Sequence, residues 1–346
     1  MVVFSYTNLY YHIFLNNSIA KLIFFEIFYY FISESDDFME KFDFFNLKTD
    51  LADENDEILR NKNQSVNGIV TQNSKRRGVD IFEMHITSPH GEKISGRKPG
   101  RYCTVTVGKT HFYDSGLFEN VCLVLSEIFE SFIKARDNIL LAGLGNPAIC
   151  ADSVGTQTAQ NFIVTRHIKE AEKEIFDKFF SSETSAITPN VLGNTGIEAA
   201  HIIKGIADDI KPSCIIAVDA LASRRLSRLA TTVQICDTGI FPGSGVGNVR
   251  AEISEETMGC PVIAVGVPTV VNASTLICDI LSECGIGQKD IDDNTMKSLY
   301  DQVGQDCFVS PKSCETDIRS ISKLIGYAIN HALHKNIDLS SMHDFL

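Results

Sequence analysis

The chain has 346 residues, an apolar fraction of 44% and a formal net charge of −13. That length can bury a large core in one domain or two, and the acidic balance works against nucleic-acid binding, which draws on a basic face. The ten cysteines are scattered without a C-x-x-C pair, which argues against a zinc ribbon; those in apolar runs act as small hydrophobes, as expected in a reducing compartment.

Residues 1–38 are rich in Phe, Tyr and Ile. The apolar run Ile19–Ile32 contains Lys21 and Glu26 and falls short of the roughly 20 apolar residues of a membrane span. No small-residue cleavage site follows it. We expect a poorly structured extension with no membrane role, and Met39 is a candidate start. Residues 39–78 are polar and charged and predict a loose arm. The alternating stretches Val79–Thr87 and Arg101–Val107, separated by a Gly- and Pro-rich linker, predict a β-hairpin or two edge strands. Apolar residues at helical spacing predict a helix over Leu117–Ala135.

The pattern then changes to short apolar runs: Asn138–Leu144, Cys214–Val218, Thr231–Cys236 and Pro261–Val267. Helical stretches at Asp152–Val164, Ile197–Asp209 and Ala273–Cys284 separate most of them, and a last helix is predicted over Glu315–His334. Continuous apolar strands alternating with helices imply a parallel or mixed sheet covered on both faces.

Ligands of an open α/β sheet bind beyond the carboxyl ends of its strands. The loops Gly143–Ser153, Asp219–Arg225, Asp237–Arg250 and Pro268–Ser274 are expected there. They bring three carboxylates: Asp152, Asp219 and Asp237. Asp152 also suits a helix N-cap, and Asp237 before Thr-Gly suits a plain Asx turn. Asp219 ends an apolar strand, where an unpartnered carboxylate is costly to bury, so it is the stronger candidate for function. Two carboxylates sharing a site split into an acid and a base, and they can activate water and protonate a leaving amine. Oxygen ligands of this kind also suit a metal, so the sequence leaves a metal open. The glycines of Pro242–Asn248, with Ser244 and Gly245, can offer N–H groups to an oxyanion. The segment lacks a P-loop lysine, and Ser244 is outside a G-x-S-x-G frame.

The segments LLAGLGNPAICADSVG, NFIVTRH, NTGIE, IIAVDALASR, QICDTGIFPGSGVGN and PVIAVGVPTVVNAST, in this order, resemble the germination protease family, the spore endopeptidases that degrade small acid-soluble spore proteins. The resemblance runs from about Met39 to about Leu333. It implies a three-layer phosphorylase/hydrolase-like α/β fold with a mostly parallel central sheet, here preceded by a short β-hairpin region. It implies a homotetramer of the developing spore's cytoplasm, made as a zymogen; no cofactor is expected, and a metal stays open. The family's proposed catalytic aspartates fall on Asp152 and Asp219, with Asn146, Glu198, Asp237, Ser244, Gly245 and Thr269 as candidate supporting residues. Lys48–Glu54 resembles the propeptide junction, so self-processing is expected between Asp50 and Leu51. This divides the chain into an extension (1–38), a propeptide (39–50) and a single peptidase domain (51–346). The first loop departs from the family's more usual Thr-Pro-Asp arrangement.

Two enzymes of related fold are the alternatives. Peptidyl-tRNA hydrolase shares the Gly143–Pro147 turn, but the net charge of −13 opposes tRNA binding. A hydrogenase-maturation metallopeptidase needs a His at the strand ends, and Asp237–Arg250 holds none.

Overall fold

The computed structural model describes residues 49–61, 67–109, 115–243, 250–286, 291, 292, 295, 298 and 307–346. The extension 1–38 and the propeptide up to residue 48 therefore lie outside the described residues. Nine described strands join in one sheet: β1 (Ile69–Arg76), β2 (Val79–Ile86), β3 (Gly100–Thr106), β4 (Asn138–Gly143), β5 (Glu183–Ile187), β6 (Cys214–Ser223), β7 (Thr232–Cys236), β8 (Val262–Asn272) and β9 (Phe308–Val309). Their spatial order is β1-β2-β3-β7-β8-β6-β4-β5, with β9 paired to β8. The helices are α1 (Ala52–Asn61), α2 (Pro89–Ser95), α3 (Ser115–Phe132), α4 (Val154–Gln160), α5 (Arg166–Ala171), α6 (Lys173–Phe179), α7 (Leu192–Thr195), α8 (Ala199–Ile210), α9 (Glu255–Met258), α10 (Ala273–Glu283) and α11 (Cys314–Leu333).

The sheet is mixed. β5, β4, β6 and β8 run parallel, whereas β8, β7, β3, β2 and β1 pair antiparallel in turn. A mostly parallel sheet thus describes one half of the molecule. The link 224–231 between β6 and β7 is too short for the helical crossover that another parallel strand requires.

Alternate residues of the parallel strands feed two cores. Ile139, Leu141, Ile216, Val218 and Val265 meet α3, α4 and α11 on one face. Leu140, Ala142, Ile215 and Ala217 meet α8 and α9 on the other. Helix α1 covers the antiparallel half on that second face, over Met84, Ile86, Tyr102 and Ala264. Burial on both sides explains the unbroken apolar runs, and the result is the expected three-layer α/β fold.

The predicted hairpin strands pair as β2 and β3. The linker between them contains α2, capped by Ser88, which accepts from the Gly91 N–H, and closed by Gly96 at φ +67°. The expected loose arm is corrected over much of its length. Residues 52–61 are helical, and 69–76 form the edge strand β1. Helix α1 hides Ala52 and Leu59 under a polar outer face, and β1 has one sheet partner and exposed side chains, so neither shows a long apolar pattern.

Candidate active site

Strand β4 pairs with β6 only as far as Gly143 and Val218. The next residue of β6, Asp219, stands just past the end of β4, where the layers part. Its side chain is 5% exposed, and its Oδ1 accepts the Ala220 N–H at 2.9 Å. The chain leaving β4 turns back so that Leu144 N–H donates to Val218 O at 2.8 Å. It then passes through a 3-10 turn, Cys150–Asp152, which delivers Asp152 to the same cleft.

Gly145 makes this turn possible. It has φ +99°, and a Cβ there would lie 2.0 Å from the Asp152 carbonyl oxygen. An L side chain fails on both counts. The close pass places the Asn146 N–H 2.9 Å from Asp152 Oδ2, so the loop's backbone holds the carboxylate. Asp152 is therefore fixed by backbone and does not cap α4, whose N-cap is Ser153.

The two carboxyls differ in environment. Burial, then the charge of Asp152, pushes Asp219 up to about 8, with a further contribution from Asp50. Burial also raises Asp152, partly offset by the Asn146 N–H. Such a pair shares a proton, which Asp219, the more buried of the two, holds more tightly than Asp152.

The cleft has a volume of about 320 Å³. Its walls are mainly apolar, with Leu144, Ile149, Val191, Leu221, Val270 and Phe308 among them. Among the described lining residues Arg250 is the single cation, facing Glu198 at 3.9 Å. Thr269 also lines the cleft. The β6–β8 register slips so that Leu221 pairs with Pro268 and Ala222 with Val270, leaving Thr269 unpaired in a bulge. Bulges re-aim side chains in this way.

Asp152, Asp219, Glu198 and Thr269 thus converge, and Asn146 joins through its backbone. Asp237 does not. Because β7 is antiparallel to β8, its carboxyl end lies at the opposite edge, where Asp237 Oδ1 accepts the Arg101 N–H at 2.8 Å. The chain returns to the cleft at Pro242, Gly243 and Arg250; Ser244 and Gly245 lie outside the described residues. Sequence reasoning missed Arg250, Val191 and Phe308. Only Arg250 had a usable signal, as a cation ending a glycine-rich loop.

The junction Asp50–Leu51 is docked, not mobile. Asp50 N–H donates to Ala222 O at 2.9 Å, and Ala222 N–H donates to the Asp50 carboxylate at 2.8 Å. Gln234 binds the Asp50 carbonyl and the Ala52 N–H, and Leu51 is fully buried. Burial raises Asp50 as well. Downstream, Glu54 accepts the Arg224 and Arg225 N–H groups, and Arg225 pairs with Glu57.

Among the described residues no group of three or more His, Cys, Asp or Glu side chains could hold a metal ion. No described helix is long and apolar enough to cross a membrane.

A family model described as germination protease matches residues 47–288. The germination protease of Clostridium perfringens is 37% identical over 87% of this chain and 99% of its own length. That of Caldanaerobacter subterraneus is 37% identical over 87% and 98%, and that of Bacillus velezensis 33% identical over 85% and 95%. Among solved structures, the NiFe hydrogenase maturation protease HycI of Thermococcus kodakarensis is similar with a TM-score of 0.32 and 12% identity, over 58% of this chain and 98% of that one. With its model matched over most of the length and relatives matched nearly end to end, this chain belongs to the germination protease family.

Proposed function

We propose that the protein is an aspartate-dependent endopeptidase that begins the degradation of small acid-soluble spore proteins, with Asp152 and Asp219 as its catalytic pair. The observation that carries this reading is the buried Asp219 carboxyl, which holds its proton to about 8 beside the backbone-anchored Asp152 in one cleft. Asp152 takes a proton from a water as the water attacks the substrate carbonyl. Asp219 gives its proton to the developing tetrahedral centre, and the pair returns a proton to the leaving amine. The apolar walls and Arg250 suit an apolar side chain next to an acidic one. The spore's cytoplasm as location and a homotetramer follow the family resemblance, and the pair is proposed to work without a cofactor.

The protein is made as a zymogen and cuts itself between Asp50 and Leu51. The docked junction must first leave β6, which makes processing slow and conditional. After the cut, Glu54 and Glu57 keep α1 anchored to the 224–225 turn, so the new amino terminus stays in place.

The test is incubation of the purified protein with a small acid-soluble spore protein, with and without a chelator, beside the Asp219→Asn variant. Cleavage by the wild type in both conditions and none by the variant is expected. Cleavage abolished by the chelator, or retained by the variant, overturns the assignment.

A further inference from the structure

Two thiols lie against the turn that carries Asp152. Cys150 Sγ and Cys314 Sγ are 3.1 Å apart, although 164 positions separate them in the chain. Both are half-buried, and all ten cysteines are free. Cys150 opens the 3-10 turn that ends at Asp152, and Cys314 opens α11. Both pack on the margin of the core beneath α11, the side of the sheet away from α8.

We propose that Cys150 and Cys314 are a modification site: hydrogen peroxide converts them to a disulfide that switches off the neighbouring carboxylate pair. The sulfurs need to close by only about 1 Å to reach the S–S bond length of about 2.05 Å. One thiolate of the pair attacks peroxide, forming a sulfenic acid and releasing hydroxide. The second sulfur, 3.1 Å away, then attacks that sulfur, forming the S–S bond and releasing water. Overall two thiols are oxidised and one peroxide is reduced to two waters.

The turn transmits the change. Ser153 Oγ–H donates to Cys150 O at 2.8 Å, and Asp152 N–H donates to Ile149 O at 2.9 Å, so a shift at Cys150 carries Asp152 with it. The pull is toward α11 and away from Asp219, which points to the other face. Catalytic groups tolerate such displacement poorly: about 1 Å can cost about 100-fold.

The linkage itself does not depend on the peptidase reading; the loss of activity does. The experiment treats the full-length protein with hydrogen peroxide, maps its peptides by mass spectrometry without reductant, and assays peptide cleavage before and after dithiothreitol. A Cys150–Cys314 cross-linked peptide is expected, with kcat reduced about tenfold or more and restored by reductant. Cys314→Ser should keep its activity through the treatment. No cross-linked peptide, or equal losses in wild type and Cys314→Ser, overturns the proposal. Absence of cleavage before any treatment would instead sink the peptidase reading and the switch that rests on it, while the mapping still decides the linkage.

Discussion

The two halves of the sheet divide the labour differently. In the parallel half, β4, β6 and β8 are covered on both faces, and their carboxyl ends open together into a cleft with Asp152 and Asp219. In the antiparallel half, successive strands end at alternate edges, so no common mouth forms. There β2 changes its buried face midway, with Val79 and Ile81 in the core under α3 and Met84 and Ile86 under α1, and polar residues such as Asp237 serve the backbone. Parallel strands collect their ends and can build a site; antiparallel strands disperse them and build a wall.

The sharpest way to break that contrast is Asp219→Asn. An amide accepts from Ala220 N–H as the carboxyl does but supplies no proton. We expect kcat to fall about 1,000-fold, with the fold intact. Stability should move the opposite way. The folded chain holds this proton from the ordinary 3.8 up to about 8, whereas the unfolded chain releases it near 3.8. Wild-type stability from this group is therefore complete below about 4 and is lost as pH rises toward about 8. The variant lacks that loss, so its Tm should exceed the wild type's at pH 8 and match it at pH 4. Thermal melts at the two values check the sign.

As the proposed catalytic pair, Asp152 and Asp219 should also set the pH profile of kcat/KM. Activity should fall on the alkaline side as Asp219 ionises near about 8. On the acid side it should fall as Asp152 takes up a proton, at a pH above the ordinary 3.8 because burial raises it. A profile that is flat between pH 5 and pH 9 would show that these carboxyls are not the working groups.

Val105→Ala probes the other half. Val105 lies on β3, fully buried against α3's core. The truncation should destabilise the protein by about 2 kcal/mol in urea melts and leave kcat unchanged below the melt. A large change in kcat would mean that the halves are coupled. Arg250→Gln, at the cleft, should do the reverse: KM for a Glu-Leu peptide up about tenfold, KM for its Gln-Leu counterpart little changed, and stability hardly affected because the residue is half-exposed and its carboxylate partner is at 3.9 Å.

Much of this contrast was legible in the sequence. Doubly buried strands write unbroken apolar runs, so β4, β6 and β8 were visible, and with them Asp152 and Asp219. Strand direction was not. β7 writes the same kind of run, TVQIC, because it too is buried on both faces, and burial does not encode polarity of the chain. The docking of Asp50 and Glu54 was hidden for another reason. Their partners are backbone N–H groups 170 or more residues away, which any sequence could supply. The Thr269 bulge depends on register between two strands, and no single segment records that.

Asp237 is where direction decided the outcome, and its substitution should have the smallest effect. Sequence placed it beside Asp152 and Asp219 because it ends an apolar run just as Asp219 does. The antiparallel course of β7 takes it instead to the edge where β3 begins, with Arg101 N–H at 2.8 Å. Gly100, at φ +151°, lies so close that a Cβ there would come within 2.7 Å of Asp237 Oδ1. The contact is a local clasp between two strand ends, partly open to solvent. Asp237→Asn keeps an oxygen acceptor for that N–H, so stability should change by no more than about 0.5 kcal/mol. The kcat for peptide cleavage should stay within about twofold, because the residue lies outside the cleft that holds Asp152 and Asp219. Asp237→Ala removes the acceptor and should cost about 1 kcal/mol, still without loss of kcat. Should Asp237→Asn abolish cleavage while melting normally, the edge occupied by β7's end would belong to the working site, and the division between the two halves would fail.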